Sequence, residues 1–276
     1  MQIACHTITW GESNFELALK EIHELGFGAF ETFASVVDRY EANLSQFKDE
    51  LDQRDLRLIS LYGGGDMHRA EAASEVIDRN VRIARFLQAN GADRMVLGPA
   101  RRGTVAPTSA ELKQLAATAN EIGKRTLELG VLSCLHPHVY TVLESISEID
   151  EVMGQIDDEV VGLAADTAHF AKGNSEVASA EIGLFENYVD CIKYVHLKDW
   201  DPSLPPEFDE NSLTPVIRDF TELGQGEVNL AGCVDILRSV NYDGWLTIEL
   251  DYTRRTPRES VRMSKEYLEG TLGLSV

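Results

Sequence analysis

Two periodicities alternate along the chain. Short, mostly apolar runs recur at IACHTITW (3–10), AFETFA (29–34), LRLISLYGG (56–64), RMVLGPA (94–100), VLSCLHPH (131–138), VVGLAADTAH (160–169), IKYVHLKDW (192–200) and WLTIEL (245–250). Their lengths and β-branched content predict strands. Between them lie longer stretches with apolar residues three and four positions apart, such as FELALKEIHELG and SAELKQLAATANEIGKRTLELG, which predict amphipathic helices. Ser109, ahead of Glu111, and Gly130 mark the expected ends of the second. Eight such units in 276 residues predict an α/β fold, a (β/α)8 TIM barrel forming a single domain over 1–276. Several strands are apolar on both faces, as parallel strands between a filled interior and a coat of helices must be. An open doubly wound sheet is the rival, but the first turn, TWGESNF, lacks its glycine fingerprint. GGGD at 63–66 has no following Lys-Ser/Thr and is expected to be a flexible loop, not a phosphate-binding one.

Charge narrows the partners. The formal charge of -21 repels phosphate backbones and anionic membranes, so neither nucleic acid nor a membrane is an expected partner. The first residues have no basic segment leading into a long apolar one, and no stretch of eighteen apolar residues follows, which predicts a soluble, cytoplasmic protein. Cys5, Cys134, Cys191 and Cys233 are far apart without metal-site spacing and are expected to be free, mostly buried thiols.

The late strands end in ionisable residues, and period-two alternation assigns their faces. On the eighth, Leu246, Ile248 and Leu250 share one side, and Thr247, Glu249 and Asp251 the other. On the seventh, Tyr194, His196 and Lys198 point inward; on the sixth, Gly162, Ala164 and Asp166; on the fifth, Cys134, His136 and His138. Four successive strands thus aim carboxylates or imidazoles at the end of a parallel barrel where catalytic groups collect. Like charges in a semi-enclosed cup need neutralising, and a divalent cation does so economically. Oxygen and nitrogen donors without thiolate favour Mn²⁺, Mg²⁺, Co²⁺ or Fe²⁺ and admit Zn²⁺.

DTAH after the sixth strand, YVHLKD on the seventh, LGQGEVNL and LTIELD on the eighth together resemble the xylose isomerase-like TIM-barrel superfamily, along nearly the whole chain. That group includes sugar-phosphate isomerases and epimerases, ketose 3-epimerases, inosose dehydratase and, more distantly, endonuclease IV. The resemblance implies a metal held by an acidic residue on the fifth strand and by Asp166, His196 and Glu249 on the next three. The fifth strand departs from the commonest pattern: Leu135-His136 stands where many members have Leu-Glu, and the continuation HPHVYTVLES resembles an HPHxxTxxE subgroup. Either His136 replaces the glutamate, or Glu144 reaches back to the metal.

The resemblance also implies a chemistry: metal-assisted abstraction of a proton α to the carbonyl of a small keto-sugar or keto-polyol, in an isomerase or epimerase. Epimerases of this kind use paired glutamates on the fifth and eighth strands, so a histidine at 136 adds weight to isomerisation or to elimination of water by a dehydratase. His136, His138 or Glu249 would be the base, and Lys198 would hold a substrate hydroxyl or the developing oxyanion. Asp199 is expected to orient a neighbouring side chain. His6, Trp10, Glu31, Tyr62 and His169 would line the substrate cup, and Arg101 and Arg102 could receive an anionic substrate. Two rivals differ in class. An endonuclease would need a basic surface and more than seven histidines; a non-catalytic sugar-binding barrel or partner subunit would keep the cup without its chemistry. Substrate choice is assigned to loops, chiefly 201–215, a lid or an interface, and a homo-oligomer stays open.

Overall fold

The computed structural model describes residues 1–204 and 217–276. Eight parallel strands close a barrel: β1 (Gln2–His6), β2 (Ala29–Phe33), β3 (Arg57–Gly65), β4 (Arg94–Pro99), β5 (Leu132–Leu135), β6 (Val161–Asp166), β7 (Ile192–Leu197) and, after two short segments, β10 (Trp245–Ile248). The short segments β8 (Asp199–Trp200) and β9 (Phe220–Thr221) form a separate antiparallel pair over the C-terminal mouth. The TIM barrel read from the alternating pattern is the observed fold.

Alternation along the strands separates two apolar layers. Ala4, Ala29, Ile59, Val96, Cys134, Ala164, Tyr194 and Trp245 fill the barrel itself. Residues of opposite parity, such as Leu135, Leu163, Val195, Leu197, Leu246 and Ile248, pack outward in the core beneath the helices. Small residues on β1, β2 and β6 leave room inside for Tyr194 and Trp245. Register then places the polar strand ends side by side: Asp166 pairs with His196, and His196 with Thr247.

Several element ends differ from the sequence expectation. β1 stops at His6, whose Nδ1 accepts from the amide of Ile8 at 2.9 Å and turns Thr7–Trp10 into a 3₁₀ helix. Thr108, not Ser109, caps the helix Ser109–Leu127, in a capping box with Glu111. Of the expected flexible loop at 63–66, Gly63–Gly65 are instead the end of β3, paired with β4 as far as Gly65 opposite Pro99, and only Asp66 lies beyond the strand. Its glycines serve close packing. Gly64 has φ +92°, and a Cβ there would stand 2.1 Å from the Gly98 carbonyl oxygen. Asn80 pins the same peptide, accepting from Gly64 N at 2.8 Å and donating to its carbonyl at 3.1 Å. Gly64→Ala is therefore expected to lose about 2 to 3 kcal/mol of stability, read as a lower urea midpoint with an unchanged slope; an unchanged midpoint would contradict this packing.

Cys5, Cys134 and Cys233 are buried free thiols, and Cys191 is half-buried. Among the described residues no helix is long and apolar enough to cross a membrane. The proposed lid or interface at 201–215 lies outside the described residues from 205 onward.

Candidate metal and active site

The strand ends converge at the C-terminal mouth. Asp166 closes β6 and has two jobs. Its Oδ1 accepts from the amides of Ala168 and His169, at 2.9 and 2.8 Å, capping the helix Thr167–Gly173, while Oδ2 faces the cup. His196 stands between two carboxylates: Nε2 lies 2.8 Å from Glu31 Oε2, and Nδ1 2.8 Å from Glu249 Oε2 and 3.9 Å from Asp166 Oδ2. Burial opposes a charge on this ring, but Glu249 and Glu31 outweigh it and hold the imidazole well above its ordinary pKa. Glu249 is held well below the usual carboxylate range, because His196 and Lys198 overcome the opposing effect of burial.

On β5, His136 is wholly buried. Its Nδ1 lies 3.2 Å from the Ala164 carbonyl, which can only accept, so Nδ1 carries the proton and Nε2 a lone pair. Burial, then His196 and His138, push its pKa well down and keep it neutral. His138 is fixed the same way by the Val139 carbonyl at 2.6 Å, and burial and then Lys198 lower its pKa to about 4. Its ring lies 3.7 Å, centroid to centroid, from that of His169. Lys198 is fully buried, with Nζ 3.1 Å from His169 Nε2, 3.2 Å from Asp251, 3.4 Å from Glu249 and 3.7 Å from Asp166. Burial works against its charge, but the three carboxylates prevail and raise its pKa. The Phe220 ring covers the ammonium at 4.8 Å.

Whether these residues suit a cation can be tested on atoms left over. His136 Nε2, Asp166 Oδ2, His196 Nδ1 and Glu249 Oε2 are all buried and without a hydrogen-bond partner. The last two are close but not aligned as donor and acceptor. Ligand atoms of His136, Asp166 and His196 lie within 4.8 Å of one another. Buried polar atoms are rarely orphaned, and three gathered this closely, with Glu249 beside His196, fit a divalent ion. Glu31 completes the fit: a carboxylate holding the far nitrogen of a ligating histidine fixes the ring's orientation. A second trio, His136, His138 and His169, also brings ligand atoms within 4.8 Å. It is less free, since His169 Nε2 faces the Lys198 ammonium and His136 has a single lone pair to give.

The other expected residues divide. Glu144 turns toward Arg102, 3.4 Å away, rather than joining that cluster. Arg102 is itself committed to Glu148 at 2.6 Å and to the Thr141 carbonyl at 2.9 Å, which leaves it no free fork for an anionic substrate. Arg101 is exposed, its backbone bridged to Thr141. Trp10 leaves the cup with the 3₁₀ turn: it packs in the outer core and donates its indole N–H to Glu21 at 2.6 Å. Glu31 supports His196 and accepts from Tyr194 Oη at 2.8 Å. His6 and Tyr62 do reach the cup, His6 with a buried, unpartnered Nε2 and Tyr62 edge-on to His136 at 5.7 Å. Asp199 binds backbone instead of a side chain, accepting from the amides of Gly224, Gly226 and Val228 and so anchoring the LGQGEV turn. Asp251, noted only as a strand-end acid, proves to be the nearest carboxylate to Lys198. Phe220 gave no advance signal, because its place depends on the antiparallel pair.

The sequence profile described as the xylose isomerase-like TIM barrel matches residues 19–269. The chain belongs to this family. An inosose dehydratase of Histophilus somni is 27% identical to it over 282 residues, covering 95% of this chain and 92% of the relative. One from Lacticaseibacillus casei is 25% identical over 281 residues, covering 95% and 91%. Among solved structures, the IolI protein with a binding zinc atom has a TM-score of 0.76 at 17% identity, covering 98% of this chain and 97% of that one, a likeness of fold.

Proposed function

We propose that this chain is a metal-dependent dehydratase that removes a proton α to the carbonyl of an inosose or related keto-sugar and expels the β-hydroxyl as water. Its family and its inosose dehydratase relatives make it a sugar-modifying enzyme. They also favour elimination over the isomerisation or epimerisation expected first. One observation carries the finer reading: imidazoles, His136 and His138, follow the end of β5, where a two-base epimerase would need a second carboxylate to work with Glu249.

Asp166, His196 and Glu249 would hold the ion together with a donor from the fifth strand or the loop after it, His196 giving up the Nδ1 proton on binding. When bound, a divalent metal supplies Lewis-acid polarisation of the substrate carbonyl and its neighbouring oxygen. His138, neutral and with Nδ1 tied to Val139, offers its Nε2 lone pair as the base. The C–H electron pair passes into an enediolate, whose negative charge the Lys198 ammonium faces from a dry pocket roofed by Phe220. Collapse of the enediolate breaks the β C–O bond. The departing hydroxide takes a proton from His138 and leaves as water. His6 and Tyr62 would contact the remaining hydroxyls.

The test is incubation of the metal-loaded chain with inososes and keto-sugars in deuterated water, followed by NMR and mass spectrometry. Loss of one water with α-carbon exchange supports the proposal. Exchange with a rearranged but undehydrated product means an isomerase or epimerase; no exchange with any of them, with or without metal, means a binding barrel. The supporting carboxylate gives an independent check. Glu31→Gln removes the charge that orients His196 and should weaken metal binding about 10- to 100-fold by calorimetry, and wild-type affinity would remove Glu31 from the site.

A further inference from the structure

Resting on the metal reading above, we propose that His136 is itself the fifth-strand ligand, so that two imidazoles and two carboxylates tune the site toward borderline ions such as Co²⁺, Fe²⁺ and Zn²⁺ and away from Mn²⁺ and Mg²⁺.

Three observations choose it over Glu144. His136 Nε2 is buried, unpartnered and within 4.8 Å of the Asp166 and His196 ligand atoms. The Ala164 carbonyl fixes the opposite nitrogen as the donor, so the lone pair already points inward and needs no proton released before it binds. Glu144, by contrast, lies by Arg102 in the zipper that joins the loops after β4 and β5.

The consequence for metal choice follows from donor type. Carboxylate and water oxygens suit Mg²⁺ and Mn²⁺, and imidazole suits Zn²⁺ and Fe²⁺. A histidine in the place of a carboxylate also removes one negative charge from the first coordination sphere. Hard ions depend on that charge most, because they have least to gain from nitrogen. Lys198, 3.4 Å from Glu249, reduces the local negative charge further.

The experiment is calorimetric titration of the chelator-stripped full chain with Mn²⁺, Co²⁺ and Zn²⁺, together with the absorption spectrum of the Co²⁺ form. The wild type, His136→Glu, His136→Gln and Glu144→Gln are compared. His136→Glu should narrow the Co²⁺-over-Mn²⁺ preference by at least the roughly 10- to 100-fold associated with loss of a mere supporting partner. His136→Gln should weaken Co²⁺ and change its visible bands, and Glu144→Gln should match the wild type in both. Wild-type affinities and spectra in both His136 variants overturn the inference while leaving the metal reading intact, as does a loss of binding in Glu144→Gln alone. A wild type that takes up none of the three ions overturns both.

Discussion

Asp166→Asn is expected to abolish metal binding and lower kcat/KM for α-proton abstraction by about 10³ or more, with the fold undisturbed. Two oxygens of one side chain explain the separation. Oδ1 caps the helix Thr167–Gly173 through the amides of Ala168 and His169, and the asparagine carbonyl oxygen accepts those bonds equally well. Oδ2 is buried, without a hydrogen-bond partner, and faces His196 at 3.9 Å. An amide nitrogen in its place has no lone pair for a cation. Polarisation of a carbonyl by a metal is worth several kcal/mol of transition-state stabilisation, and each 1.36 kcal/mol is tenfold in rate. Removing one buried negative charge near Glu249 and Asp251 also relieves repulsion, so the urea midpoint of the metal-free variant should equal or exceed the wild type's. A variant that keeps stoichiometric metal and near-normal turnover would place the reaction elsewhere. One that loses the metal only because it unfolds would show instead that the cap, not the charge, matters.

That the same carboxylate could be picked out beforehand follows from the period of the strand. Asp166, His196 and Glu249 share inward parity with Ala164, Tyr194 and Thr247, and parity survives wherever a strand is regular. It fails where the strand ends early. The run at 3–10 looks like one strand ending at Trp10, which the family resemblance then assigns to the cup, yet the backbone turns at His6 once that side chain accepts the Ile8 amide. Composition misleads in the opposite sense at Gly63–Gly65: three glycines look like a loop, but they continue β3, and Gly64 is what lets it pass within contact of Gly98. Roles set by partners far away in the chain were not legible. Glu31 and His196 are 165 positions apart, and Arg102 and Glu148 are 46. Nothing local distinguishes a substrate-binding Glu31 from one that orients a histidine, or a free Arg102 from one already engaged. Asp199 is a similar case, since three residues of the LGQGEV turn, Gly224, Gly226 and Val228, had to fold back before its backbone partners there existed.

Lys198→Met is expected to destabilise the metal-free protein by about 3 to 5 kcal/mol, the range for removing one partner from a buried charge cluster. Methionine keeps most of the volume under Phe220, so the effect isolates the ammonium. Without it Asp166, Glu249 and Asp251 would share one buried mouth with His196 as the nearest remaining cation. The pH dependence fixes the sign. Burial already lifts Asp251 to about 6 and raises Asp166 with the lysine present; without it both rise further above their unfolded values, near 4, and Glu249 loses part of what holds it down. Groups raised in the folded state favour folding once protonated, so the variant should recover stability as pH falls from 7 toward 5 and differ most from the wild type at neutral pH. A bound divalent cation should act in the same direction as the missing ammonium. The metal-induced rise in Tm should therefore be larger for Lys198→Met than for the wild type, because the ion then relieves repulsion that the lysine otherwise offsets. Equal urea midpoints for the two proteins at pH 7 without metal would mean that the mouth is hydrated and its charges screened. The dry, preorganised pocket on which the proposed elimination depends would then not exist.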